Sequence, residues 1–155
     1  MQPVANLEQP EPPRALRLLI VEDEISTVFA MREFFAFTGY QVDCAAGTTD
    51  AMFLLDRNQY DVVITDLHLT PSRLAEGMTV LTRVRRVNPQ ALIVMLTAYG
   101  SEESEREAYS GGVNLYETKP VGLVVLAARI EAALNGASSG GQVSADGKWG
   151  GACPK

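Results

Sequence analysis

The sequence predicts an α/β fold in which a parallel sheet of five strands carries helices on both faces, a doubly wound arrangement. Short apolar runs alternate with longer segments whose apolar residues recur at helical spacing, and this alternation occurs five times between residues 16 and 135. The runs are continuously apolar, as in strands that are buried on both faces. Such strands are joined by helices that lie over the sheet.

The first half of this segment contains three predicted strands and two predicted helices. The strands are predicted at 17–21, 41–45 and 61–65. The helices are predicted at 25–38 and 48–56. In the first helix Val28, Met31 and Phe35 share one face, and Gly39 can end it.

The second half contains two further strands and three helices. The strands are predicted at 91–96 and 113–116, and the helices at 78–88, 101–110 and 121–134. Pro89 stops the first of these helices, and Ser101 can cap the second. Gly111 and Gly112 follow that second helix and are expected to end it.

Length and composition restrict the classes of function. The chain has 155 residues, which suits one domain, and no apolar run approaches the ~20 residues of a membrane span. A net charge of −6 argues against direct nucleic-acid binding. Two separated cysteines, Cys44 and Cys153, argue against a disulfide framework, so a cytoplasmic location is expected.

Both ends of the chain differ in composition from the segment between them. Residues 1–15 are rich in Pro, Glu and Gln and are predicted to be a flexible arm. Residues 136–155 contain six glycines and three serines and are predicted to be a flexible tail. The single domain is therefore expected to span 16–135, and Trp149 in the tail is interpreted as a bystander.

Chemically active side chains follow four of the five predicted strands. In open parallel sheets, ligands bind beyond the carboxyl ends of the strands. The residues at these positions are Glu22, Asp23, Glu24, Asp66, Thr97 and Lys119. Clustered carboxylates suit Mg²⁺, and a lysine beside a hydroxyl suits phosphate. This inventory favours phosphoryl transfer, which needs charge neutralisation and positioning.

Each of these residues also has an ordinary interpretation. Asp66 could cap a helix, and the acidic run after the first strand could be a solvated turn. Lys119 could be a surface lysine, and Thr97 simply the last β-branched residue of its strand. Tyr116 could be half-buried core. The four strand ends taken together favour the functional interpretation.

Four segments of the sequence resemble the signatures of response-regulator receiver domains of two-component signalling. They are LLIVEDE, DVVITDLHLTP, MLTAYG and ETKP, in the order and at about the spacing of that family. The resemblance implies a flavodoxin-like fold, with five helices and the strand order 2-1-3-4-5. It also implies a cis bond between Lys119 and Pro120.

The resemblance assigns a metal site and a phosphoacceptor. Mg²⁺, or Mn²⁺ in its place, would be held by the side chains of Glu22, Asp23 and Asp66. The backbone carbonyl of His68 would complete the protein's share of the coordination. Asp66 would also accept the phosphoryl group. A lone histidine argues against a zinc site, and the His68 side chain is expected to be solvated beside the metal.

The same resemblance assigns a switch. Lys119 would bind the phosphoryl group, Thr97 would be the switch hydroxyl, and Tyr116 the switch aromatic. Tyr99, two residues past Thr97, has no firm role in the family, although in relatives its position and that of His68 lie beside the phosphoryl group and tune its hydrolysis.

The chain also departs from the family pattern. The proline and glycine after the acceptor come later than usual, at Pro71 and Gly77, so the loop 70–76 is expected to be about three residues longer. Val121 stands where phenylalanine is common after the Lys–Pro pair.

Three functions are compatible with these observations. The leading one is a signalling module, catalysing only its own phosphorylation and dephosphorylation. It would take phosphate from a sensor histidine kinase or a histidine phosphotransfer protein. Its target would be a protein recognised through the fourth helix, fifth strand and last helix. The alternatives are a phosphatase with Asp66 as covalent nucleophile, which has His68 where a general acid is expected, and a pseudo-receiver with an idle site.

Overall fold

The computed structural model describes residues 13–66 and 71–138, within which five strands and five helices alternate. The strands are β1 (Arg17–Glu22), β2 (Gln41–Ala45), β3 (Val62–Asp66), β4 (Leu92–Thr97) and β5 (Leu115–Thr118). The helices are α1 (Ile25–Phe37), α2 (Thr48–Arg57), α3 (Pro71–Val87), α4 (Glu102–Ser110) and α5 (Leu123–Ser138). All strand pairs are parallel, in the order β2-β1-β3-β4-β5, so the predicted doubly wound fold is confirmed.

The central strands separate two hydrophobic layers. Alternate residues such as Leu19, Val63 and Ile93 pack with the layer that contains the buried residues of α2, α3 and α4. Their neighbours, such as Ile20 and Ile64, pack with the layer of α1 and α5. Because β1, β3 and β4 are buried on both faces, their continuously apolar sequences are explained. Among the described residues, no helix is long and apolar enough to cross a membrane.

Several strand boundaries differ from the sequence-based ones in a consistent direction. β1, β3 and β4 each run one residue further than predicted, ending at Glu22, Asp66 and Thr97. These polar residues are buried, although composition alone placed them outside the strands. β5 lies two residues later than predicted, so Tyr116 is the second residue of the strand and not its last. Backbone pairing with neighbouring strands overrides local preference here.

Helix α3 corrects the expectation of a long loop at 70–76. The helix begins at Pro71, whereas the sequence predicted a start at Met78. A proline is well tolerated at the first helical position because its missing N–H has no partner within the helix there. The extra residues after Asp66 therefore lengthen a helix, with Gly77 inside it.

The ends of the predicted domain also differ in detail. Helix α5 begins at Leu123 and continues to Ser138, four residues beyond its predicted end at Leu134 and into the segment predicted to be the tail. Arg14, in the segment predicted to be the arm, pairs with Asp61 through two nitrogens at 2.7 and 3.1 Å. Cys153 and Trp149 lie outside the described residues, and Cys44 is a free thiol.

Candidate functional site

The carboxyl ends of β1 and β3 bring two buried acids together. Glu22 and Asp66 are register partners across the two strands, and each is at most 2% exposed. The Glu24 backbone N–H donates a hydrogen bond of 2.9 Å to Glu22 Oε1 and so orients that carboxylate. The sheet register alone therefore produces a pair of adjacent, water-excluded carboxyl groups.

Lys119, just beyond the carboxyl end of β5, completes this site at the same edge of the sheet. Its backbone N–H donates to the Thr97 carbonyl at 2.8 Å, which anchors Lys119 just beyond the end of β5. Its Nζ forms an ion pair with Asp66 Oδ2 and lies 3.6 Å from Glu22 Oε2. The bond between Lys119 and Pro120 is cis, as the family resemblance implied.

The acids and the lysine perturb one another. Burial, together with the hydrogen bond to Asp66, raises the pKa of Glu22 to about 8. Burial tends to lower the pKa of Lys119, but its hydrogen bond to Asp66 and the two nearby carboxylates raise it overall. Lys119 is thus held as a cation, whereas Glu22 resists ionisation beside Asp66.

The chemistry of these donors fits a divalent cation. Glu22 Oε2 and Asp66 Oδ2 are buried, and among the described residues Lys119 is the cation that contacts them. One lysine cannot neutralise two carboxylates, and Asp23 adds a third acid whose side chain hydrogen-bonds Glu22. Hard cations prefer such oxygen donors. Within the described residues, however, no three histidine, cysteine, aspartate or glutamate side chains converge as a metal centre.

The other predicted site residues are distributed around this centre. Asp23 is exposed beside Glu22, and His68 lies outside the described residues. Thr97 is buried at the end of β4, where its Oγ1 accepts a hydrogen bond of 3.2 Å from the Tyr99 N–H. The hydroxyl of Tyr116 lies 2.6 Å from Ser104 Oγ in α4. The structure thus unites Glu22, Asp66 and Lys119, and directs the hydroxyls of Thr97 and Tyr116 to other partners.

Comparison with known proteins decides the family. The model of the response regulator receiver domain family matches residues 18–131, which include all of the sheet except the first residue of β1, and the first part of α5. The chain belongs to this family. It is therefore a receiver domain of two-component signalling, a signalling module, as the four sequence signatures predicted.

Curated relatives of this receiver domain are bacterial regulators. It is 36% identical over 115 residues to the transcriptional regulatory protein DltR of Streptococcus agalactiae. The matched region covers 74% of this chain and 50% of DltR. It is 32% identical over 117 residues to TcrA of Mycobacterium tuberculosis, covering 76% and 45% of the two chains. The chain thus spans about half the length of the curated relatives it matches.

Solved structures support the fold. A CheY-like receiver domain protein from Methanospirillum hungatei superposes with a TM-score of 0.73 at 24% identity, covering 83% of this chain and all of that one. A response regulator from Burkholderia pseudomallei superposes with a TM-score of 0.67 at 25% identity, covering 80% and 69%. That structure contains a phosphorylated aspartic acid and a calcium ion.

Two residues around the site of the receiver domain were missed by sequence reasoning. The sequence marks Glu24 only as an acid, yet its backbone N–H orients Glu22. Nothing in the sequence distinguishes Ser104, although it holds the Tyr116 hydroxyl. Its position three residues after Ser101 is that of a capping box, but the usual Glu or Gln is absent there.

The raised pKa of Glu22 predicts that its ionisation destabilises the metal-free protein. A carboxyl group whose pKa rises on folding favours the native state at low pH, and that contribution is lost as the pH rises from about 4.5 to about 8. We expect Glu22→Gln to raise the free energy of unfolding at pH 8 by roughly 1–3 kcal/mol. Urea titrations in chelator at pH 5 and pH 8 measure this difference.

Glu33→Gln is the matched control, because Glu33 is an exposed acid on α1. It should change stability little at either pH. The gain from Glu22→Gln should shrink at pH 5, and Mg²⁺ should stabilise the unaltered protein more than the variant. A Glu22→Gln protein that is less stable than the unaltered protein at pH 8 would contradict the assigned electrostatics.

Proposed function

We propose that this receiver domain accepts a phosphoryl group on Asp66, in a Mg²⁺-dependent transfer from the phosphohistidine of a sensor kinase or phosphotransfer protein. The observation that carries the proposal is the buried pair of acids, Glu22 and Asp66, with the Lys119 ammonium in contact with both. An aspartate that served only to cap a helix or to form an ion pair would not need a second buried, poorly ionised acid beside it. The curated relatives are regulators of the kind that such a transfer would control.

In this proposal the reaction is one nucleophilic substitution at phosphorus, in which each residue of the site has its own role. An Asp66 carboxylate oxygen forms the new P–O bond while the P–N bond to the donor imidazole breaks, and the imidazole nitrogen keeps the electron pair. The Lys119 ammonium then exchanges its ion pair with Asp66 for one with the phosphoryl oxygens. Thr97, at the end of the adjacent strand, offers its hydroxyl to the same oxygens.

Glu22, Asp23 and Asp66 are the side chains that would hold the divalent cation, with the carbonyl of His68. When bound, it would neutralise the charge that accumulates as the phosphoryl group meets these acids. Backbone support for Glu22 from the Glu24 N–H keeps one of the carboxylates aimed at that position.

A groove beside Lys119 supports docking of a protein donor. It has a volume of about 600 Å³ and lies between the start of α1 and the start of α5, with Met31, Leu96 and Pro120 in its lining. Ile25 and Phe29, which do not line the groove, are 85% and 65% exposed and give α1 further apolar surface. A partly apolar groove beside a phosphoryl-transfer site suits a protein partner.

The output of the switch is proposed to be a change in the surface formed by α4, β5 and α5, which a target protein would read. Phosphorylation adds about −1.5 to −2 charges at the ends of β3 and β4. Thr97 is joined to α4 by a short segment, and Tyr116 of β5 contacts α4 directly. These connections give a route from the acceptor to that face.

The proposal is tested by incubating the chain with acetyl phosphate and Mg²⁺ and measuring its intact mass. One phosphoryl adduct is expected, labile to hydroxylamine as an acyl phosphate should be. Peptide mapping should assign it to the peptide that contains Asp66. A chain that gains no adduct, or gains one stable to hydroxylamine, would refute the proposed function.

A further inference from the structure

The hydroxyl of Tyr116 ties the edge of the sheet to α4. Tyr116 is half-buried in β5, where it pairs with Met95 of β4. Its oxygen lies 2.6 Å from Ser104 Oγ in the first turn of α4. A side chain from the strand that borders the phosphoryl site is therefore hydrogen-bonded to the helix that follows Thr97.

Ser104 is also part of the structure that starts this helix. Its backbone N–H donates to Ser101 Oγ at 3.1 Å, and the Ser101 N–H donates to Ser104 Oγ at 3.0 Å. If Tyr116 donates to Ser104 Oγ, the single Ser104 proton remains for the Ser101 carbonyl at 3.0 Å. One hydroxyl thus serves the helix cap and holds the tyrosine.

Within residues 13–66 and 71–138, α4 has few other attachments to the core. Ala108 is the buried residue that the helix contributes to the core. The Tyr109 ring lies 6.5 Å from the Tyr116 ring, centroid to centroid, at a tilt of 48°. Four glutamates among its nine residues, Glu102, Glu103, Glu105 and Glu107, leave the helix little apolar surface to bury. The position of α4 therefore depends strongly on its contacts with Tyr116.

The segment between Thr97 and α4 passes closely over the same tyrosine. A Cβ at Gly100 would lie 2.6 Å from Thr118 Oγ1 and 3.4 Å from the Tyr116 hydroxyl oxygen. There is thus no room for a side chain at this point. If Thr97 moves and shifts this segment, the surroundings of the Tyr116 hydroxyl change with it.

We propose that the Ser104–Tyr116 hydrogen bond is a latch that holds α4 in its resting position and opposes the phosphorylated state. Tyr116 can move towards Thr97 only after this bond breaks, and the break frees the first turn of α4 from the sheet. Ser104 acts here as a positioning residue, remote from the reacting atoms. The inference rests on the proposed function, since it assumes that phosphate at Asp66 draws Thr97.

Beryllofluoride, a phosphate mimic, provides the test in the full chain with Mg²⁺ present. Ser104→Ala removes the latch from the helix side and should tighten mimic binding by about two- to tenfold, the equivalent of one neutral hydrogen bond. Ser104→Thr keeps the hydroxyl and should restore the original affinity. Ser101→Ala, the matched control, weakens the same cap without touching Tyr116, and should lower thermal stability while leaving the affinity unchanged.

A double-mutant cycle of Ser104→Ala and Tyr116→Phe in the absence of the mimic tests the bond itself. The combined variant should melt no lower than the worse single variant, because both remove the same interaction. Additive losses would overturn the latch. So would a Ser104→Ala protein with unaltered mimic affinity, or a Ser101→Ala protein that binds as tightly as Ser104→Ala.

The two proposals fail in different ways. If the unaltered chain binds the mimic but Ser104→Ala has no effect, the latch is wrong and the proposed function stands. If the unaltered chain does not bind the mimic at all, the proposed function fails and the switch role of the latch fails with it.

Discussion

The Asp66→Asn protein will gain no phosphoryl group from acetyl phosphate under conditions that modify the unaltered chain. Only a carboxylate can form the acyl phosphate, and the amide nitrogen is a poor nucleophile at neutral pH. Asp66 forms the shorter of the two ion pairs with Lys119, and the other acid there, Glu22, resists ionisation. Intact-mass spectra at matched times measure the loss, which should be complete within detection.

Asp50→Asn is the control for this experiment, because Asp50 is an exposed acid in the first turn of α2. It should be modified at the rate of the unaltered chain. Thermal melts of both variants verify that the fold is kept. An Asp66→Asn protein that acquires a hydroxylamine-labile adduct as fast as the control would assign the acceptor to another residue.

Removal of divalent metal by a chelator will almost abolish phosphorylation of the unaltered chain by acetyl phosphate. With Lys119 as their one contacting cation, Glu22 and Asp66 cannot both ionise easily, and an incoming phosphoryl dianion would add further negative charge. We expect excess chelator to slow the modification by on the order of 100-fold or more, since a metal contributes several kcal/mol to such a step. Restoring Mg²⁺ or Mn²⁺ should restore the rate.

Asp23→Ala extends the same test to a single side chain. Asp23 is exposed and its side chain is hydrogen-bonded to Glu22. Its loss should raise the Mg²⁺ concentration needed for half-maximal phosphorylation rate by roughly tenfold or more, because one charge-assisted contact to the metal is lost. Asp50→Ala should leave that concentration unchanged. Equal rates with and without chelator would remove the metal from the proposed mechanism.

Much of the fold could be predicted because its signals are local. Continuously apolar segments such as 62–64 favour strands buried on both faces, and α1 places Met31 and Phe35 at helical spacing in the core. Gly39 was expected to end α1, and it adopts a φ of +105° there. Boundaries were less accurate. The predicted start of α3 is wrong because proline is common both in loops and at the first position of a helix, and here Pro71 begins the helix.

The candidate site was only partly predictable from the order of residues. Glu22, Asp66 and Lys119 were identified because each follows an apolar strand and matches a family signature. Neither the burial of both acids nor the raised pKa of Glu22 could be foreseen. Both arise from the register of β1 against β3, which involves residues 44 positions apart.

The architecture, the family and the set of reactive groups at one edge of the sheet can therefore be read from the order of residues. These follow from apolar periodicity and from short motifs, which are properties of neighbouring residues. Tertiary structure alone decided the direction in which the side chains point. It placed Lys119 between two buried acids, and it turned the Tyr116 hydroxyl towards Ser104. Such contacts depend on how β5 and α4 pack in space, and no local pattern encodes that packing.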